Sequence, residues 1–145
     1  MFGEFLKRLT APAPAPLTDS DARLALGALL VRVARSDNNY DAREVARIDQ
    51  ILAGRYGLTE AAATDLRKQC EVLETEAPDT VRFTRAIKDA VPYEDRISVI
   101  ESLWDVALTD GARDQHEDAV VRLVSDLLGV NDMDRAKARQ RVAAR

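Results

Sequence analysis

The chain has 145 residues, enough for one domain that buries most of its unfolded surface without a disulfide or metal staple. Hydrophobic residues make up 46% and charged residues 32%, with 5% aromatic, a balance that suits amphipathic helices and argues against a β-sandwich or a disordered tail. The net charge of −4 divides into +1 over residues 1–16, +3 over 130–145 and −8 between them, so the main body lacks the clustered Lys and Arg that bind phosphates, and no nucleic-acid partner is expected.

Residues 1–9, MFGEFLKRL, place Phe2, Phe5, Leu6 and Leu9 on one face of a short amphipathic helix, with Glu4, Lys7 and Arg8 opposite. No continuous apolar run of a secretory signal is present. A helix this short is marginal alone, so its apolar face is a candidate for contact with its own domain, a partner protein, a second copy in a homo-oligomer, or a membrane surface approached peripherally. Residues 11–16, APAPAP, cannot continue a helix and read as a stiff polyproline-like spacer. The expected organisation is therefore residues 1–16 as N-terminal helix and linker, and residues 17–145 as a helical domain.

From Leu17 onward the apolar spacing is helical throughout, and no segment alternates at period two. Thr18, Asp19 and Ser20 offer N-caps for a first helix to about Ser36, whose stretch Leu24 to Ala34 is apolar nearly all round except Arg32, which predicts a central, buried helix. It is too short and too interrupted by Arg to span a bilayer, which needs roughly 20 apolar residues. A second helix is expected from Asp41 to Tyr56 and a third from Thr59 to Glu76. A fourth opens at Pro78, a fifth has Pro92 in its first turn, a sixth runs from Asp114 to Leu128 and a seventh starts at Asn131. The basic tail DRAKARQRVAAR reads as one solvated helical face. The expected fold is all-α: a compact bundle of about seven helices, preceded by the short N-terminal one.

Catalytic signals are missing. Cys70 is the only cysteine and falls on the apolar stripe Ala62, Leu66, Cys70, Leu73, as a small buried hydrophobe would. His116 is the only histidine and has no partner near it in sequence. The 6 glycines form neither a GxGxxG nor a Walker loop. No enzyme is expected.

One acidic phrase occurs twice. VARSDNNYDAREVARID, from Val33, is echoed by VALTDGARDQHEDAVVRLV, from Val106, so that Asp37, Asp41 and Glu44 map onto Asp110, Asp114 and Glu117. Ala34, Ile48 and Ile51 map onto Ala107, Val121 and Val124 at the same offset of 73 residues. Asn38 aligns with Gly111, the residue types that best tolerate a left-handed helix end. One residue out of step, Gly57 and Gly129 stop the second helix of each unit, with Leu58 or Val130 as the apolar contact beyond and Thr59 or Asn131 as the next N-cap. The spacing implies a pseudo-two-fold internal repeat of a three-helix unit.

Asp41-x-x-Glu44 and Asp114-x-x-Glu117 have capping-box spacing, which accounts for four of the six acids. Asp37 and Asp110 sit near helix C-termini, where the macrodipole disfavours a negative charge; an Asx-turn, or a divalent cation or basic partner group held by converging carboxylates, would account for them. A standard calcium loop is excluded, because Ala42 holds its glycine position and Ile48 its bidentate acid position, and Ala112 and Val121 fail likewise in the second copy.

The phrases ALLVRVARSDNNYDAREVARID and FTRAIKDAVPYEDRISVIESLWDVALTDGARDQHEDAVVRLVSDLLGV resemble the TerB-like family, named for the tellurite-resistance protein TerB, and the likeness extends over about residues 20–143. The nearest likeness is to a bacterial subgroup with its own short N-terminal helix and proline-rich spacer. Asn38 stands where the family usually has Gly. The resemblance implies a compact helical fold on a pseudo-repeated unit. It also implies a divalent-cation role for Asp37, Asp41, Glu44, Asp110, Asp114 and Glu117, and a cytoplasmic stress-response module, working near the membrane, without catalytic activity. Two functions stand beside each other: a cation-responsive domain, and a protein-interaction scaffold whose acids are only helix caps.

Overall fold

The computed structural model describes residues 19–36, 38–76, 80–109 and 115–145. All regular structure among them is helical: α1 (Asp19–Arg35), α2 (Ala42–Tyr56), α3 (Glu60–Glu76), α4 (Thr80–Ala90), α5 (Tyr93–Ala107), α6 (Gln115–Leu127) and α7 (Asp132–Ala143). Each opens within about two residues of its expected start. Pro92 is the N-cap of α5 rather than a residue of its first turn. The expected N-terminal helix and Ala/Pro spacer, with Phe2, Phe5, Leu6 and Leu9, lie outside the described residues.

Helix α1 is the axis of the bundle. Every residue from Leu24 to Val31, the single Gly27 apart, is a buried hydrophobe, as are Val33 and Ala34, and the helix packs against α2, α3, α4, α5 and α6. A helix apolar on all sides can be stable in water only if covered on all sides. Gly27 lets α3 approach closely: a Cβ at this position would stand 3.1 Å from Cys70 Cβ, 3.9 Å from Leu52 Cδ2 and inside the radius of Cys70 Sγ. Cys70 is fully buried, as its place on the stripe predicts, and burial pushes its thiol up to about 12. Arg32 is the polar exception: its guanidinium donates to Glu74 Oε2 at 3.2 Å and to Thr80 Oγ1 at 3.1 Å and lies 5.1 Å from the Phe83 ring centre.

The order α1-α2-α3 returns as α5-α6-α7, with first residues Asp19, Ala42 and Glu60 against Tyr93, Gln115 and Asp132. The stops correspond as well. Gly57 and Gly129 adopt positive φ of 63° and 73°, and the next residue's N–H closes back over the helix end, Leu58 to Ala53 O at 3.0 Å and Val130 to Ser125 O at 2.9 Å. The next helices are capped as expected: Thr59 Oγ1 accepts from Ala62 N at 3.1 Å and Asn131 Oδ1 from Asp134 N at 2.8 Å. The packing of the two units differs. Helices α2 and α3 pack on each other, whereas α7 lies along α5 with no comparable contact to α6.

The basic tail is not a single solvated face. Lys137 is exposed, but the Arg139 guanidinium lies 5.4 Å from the Trp104 ring centre, and Arg141 and Arg145 pair with Glu101. Indole faces attract guanidinium, which draws Arg139 inward where charge patterning alone would place it in water.

Candidate functional site

The first acidic turn is built by the end of α1 and the start of α2. Ser36 N donates to Val33 O at 3.2 Å and Asn38 N to Arg35 O at 3.0 Å, and Asn38 takes the left-handed conformation, φ 62°, that its residue type tolerates. Asp41 then caps α2. Its Oδ1 accepts from Glu44 N at 3.0 Å, and its own N–H donates to Glu44 Oε1 at 3.2 Å, a complete capping box. The Glu44 N–H is the main reason the Asp41 carboxyl lies below its usual range, with Arg43 adding to it. Glu44 is only 1% exposed.

The turn is fastened to α3 by Tyr40, whose hydroxyl donates to Glu71 Oε2 at 2.6 Å. Burial first, and the Glu71 hydrogen bond second, hold this phenol far above its ordinary range. Arg67 completes the network by donating to Asp49 Oδ1 at 2.6 Å and Glu71 Oε2 at 3.0 Å. Arg67 is set between two carboxylates, so its guanidinium stays charged despite burial.

The two repeats are tied together at Arg47 of α2. Its Nε donates to Asp105 Oδ1 at 2.9 Å and its Nη2 to Asp105 Oδ2 at 2.5 Å, a bidentate pair with the last turn of α5. Thr109, the last described residue before the second acidic phrase, lines the same 400 Å³ cleft as Arg47 and Asp105.

Of the six acids singled out by the repeat, the structure brings Asp41 and Glu44 together as a cap. Asp37, Asp110 and Asp114 lie outside the described residues, as does the side chain of Glu117. No three His, Cys, Asp or Glu side chains among the described residues converge as a metal site. Capping uses Asp41 Oδ1 and Glu44 Oε1, Arg43 Nη2 donates to Asp41 Oδ2 at 3.4 Å, and Glu44 has a further interaction of its own. The Arg47–Asp105 and Tyr40–Glu71–Arg67 contacts have no counterpart in sequence spacing. They join residues 58, 31 and 4 apart, and only the last, an i, i+4 pair on α3, carries a local signal.

An all-helical bundle around a buried axial helix is the fold the resemblance implies. The family model described as tellurite resistance protein TerB matches residues 23–140. The chain belongs to the TerB family. The match runs from the second turn of α1 to the last turn of α7 and so includes both acidic phrases. No curated protein and no solved structure matches this TerB-family chain. No helix among the described residues is long and apolar enough to cross a membrane.

Proposed function

We propose that this TerB-family domain is a non-enzymatic, cytoplasmic module of the tellurite and metal-stress response that acts by binding another protein, with its repeated acids serving as helix caps. The observation that supports this is the complete Asp41–Glu44 capping box, which gives both described acids a structural task. The internal repeat extends that task to Asp114 and Glu117. The apolar face of Phe2, Phe5, Leu6 and Leu9, carried on the Ala/Pro spacer, supplies the contact with a partner or with the membrane surface.

A divalent-cation role for the same turns is favoured by the Arg47–Asp105 pair. It fastens α2, which opens with Asp41 and Glu44, to the end of α5, where the second acidic turn begins. Under this alternative Asp37 and Asp110, which capping leaves unexplained, join Asp41, Glu44, Asp114 and Glu117 as oxygen ligands of a hard cation.

Thermal melts of the parent and of Asp37→Asn/Asp110→Asn, in chelator and then in calcium, magnesium, manganese or zinc, distinguish the two. A ligand that binds only the folded state adds about 2.7 kcal/mol at a hundredfold excess over Kd. Equal melting temperatures throughout support the scaffold; a rise confined to the parent replaces it with the cation role.

A further inference from the structure

A second cleft, distant in sequence from the first acidic turn, lies between α5, α6 and α7. It has a volume of about 140 Å³ and is lined by Trp104, Asp118, Arg122, Arg135, Ala136 and Arg139. Three guanidinium groups thus border one small space, and their charges are unequally balanced. Arg135 is paired with Asp132 at 3.0 Å and with Asp126 at 3.5 Å. Arg122 is exposed and makes no ion pair among the described residues, and Arg139, likewise without an ion pair among them, lies over the Trp104 ring. Asp118 is the one carboxylate in the lining, and it has an interaction of its own.

Beneath this charge are two polar groups without acceptors. Trp104 is 5% exposed, and its indole Nε1 and the Arg139 Nε are both buried with no hydrogen-bond partner among the described residues. Buried N–H groups are nearly always satisfied, so two unsatisfied ones on a stacked guanidinium–indole pair that lines a cationic cleft mark a place where an acceptor belongs. Guanidinium recognises planar and tetrahedral oxyanions through paired N–H donors.

We propose that this cleft binds a small free oxyanion of the phosphate or sulfate class, held between Arg122 and Arg139. The ligand draws the Arg139 guanidinium off the indole, which gives its Nε an acceptor and opens Trp104 Nε1 as a further donor. Arg135 contributes less because Asp126 and Asp132 already engage it. Asp118 opposes the ligand and limits its affinity.

Trp104 is the only tryptophan, so its fluorescence and its indole N–H resonance report on this cleft alone. The full chain is titrated with inorganic phosphate, with sodium chloride holding ionic strength constant. A saturable change in both signals is expected. Arg122→Gln, at an exposed position that leaves the fold intact, and Arg139→Gln each weaken binding about tenfold or more, and Asp118→Asn tightens it several-fold. A non-saturating response, the same response to chloride, or unchanged affinity in Arg122→Gln overturns the site. So does a response to phosphatidic acid vesicles with none to inorganic phosphate, which would make the cleft a lipid-headgroup contact instead.

Discussion

Replacing Gly27 by Ala tests the crossing on which the bundle is centred. In an exposed helix the change stabilises by about 1 kcal/mol through helix propensity. At Gly27 the new Cβ falls inside the radius of Cys70 Sγ and 3.1 Å from Cys70 Cβ. Cys70 is fully buried, so its sulfur has no empty rotamer to enter, and either α1 and α3 separate or the side chain is forced off its minimum. Overpacking of this kind costs typically 1–3 kcal/mol, and the severity of the overlap puts it near the upper end. The net loss is about 2 kcal/mol. In a Cys70→Ala background the clashing atom is gone, the Cβ–Cβ approach is tight but tolerable, and the helix gain prevails, so the sign reverses. The coupling between the two sites is then about 3 kcal/mol, the upper range for residues in direct contact. Urea denaturation of the parent, both single variants and the double variant, compared at constant m-value, measures it. A Gly27→Ala protein as stable as the parent, or the same change in both backgrounds, would refute the account of why a glycine occupies this helix.

Asp41→Ala should lower the denaturation midpoint at neutral pH by removing the acceptor of the Glu44 N–H. Because the folded carboxyl lies below its ordinary value of 3.8, its contribution is present above that value and fades as pH falls through the folded value, so parent and variant should converge in acid; a gap that stays constant below pH 3 would show the carboxylate to be irrelevant. Cys70, its thiol pushed up to about 12, should react with a thiol reagent at pH 8 only as fast as the chain opens, and rapid labelling of the native protein would contradict its burial. From its ordinary 9.0 upward the same thiol ionises more readily unfolded, so stability should decline between about pH 9 and 12. Removing residues 1–16 should leave cooperative unfolding unchanged, because the described core begins at Ala22, and should abolish partner recovery or vesicle co-sedimentation; loss of cooperativity would place Phe2, Phe5 and Leu6 in the core.

What could be read from the chain was local. The Gly57 and Gly129 stops, the Thr59 and Asn131 caps and the Asp41-x-x-Glu44 box follow from residue types at fixed short offsets, because the backbone groups they satisfy lie within one turn. The buried axis was visible because Leu24 to Ala34 offers water no polar face except Arg32. Long-range polar contacts were not visible. Nothing near Asp105 indicates Arg47, capping-box spacing does not indicate that Glu44 is buried, and Arg139 sits in a basic tail yet covers Trp104. Charged side chains are long and paired by the assembled fold, so their partners are set by which helices meet and not by sequence spacing. The candidate site divides the same way: its caps were legible, and the contacts joining its two halves were not.

The position of α1 has a consequence for how the chain is made. The most deeply buried helix is the first of the bundle to leave the ribosome, yet residues that cover it, such as Val99, Ile100 and Val124, lie some 70 to 100 positions later. At about 5–20 residues per second, that interval lasts several seconds, during which α2, α3 and then α4 can cover part of α1 while the residues of α5 and α6 that cover the rest are not yet made. The nascent chain therefore exposes a sticky helix until α5 and α6 emerge, and a premature stop within α4 would release a fragment prone to aggregate.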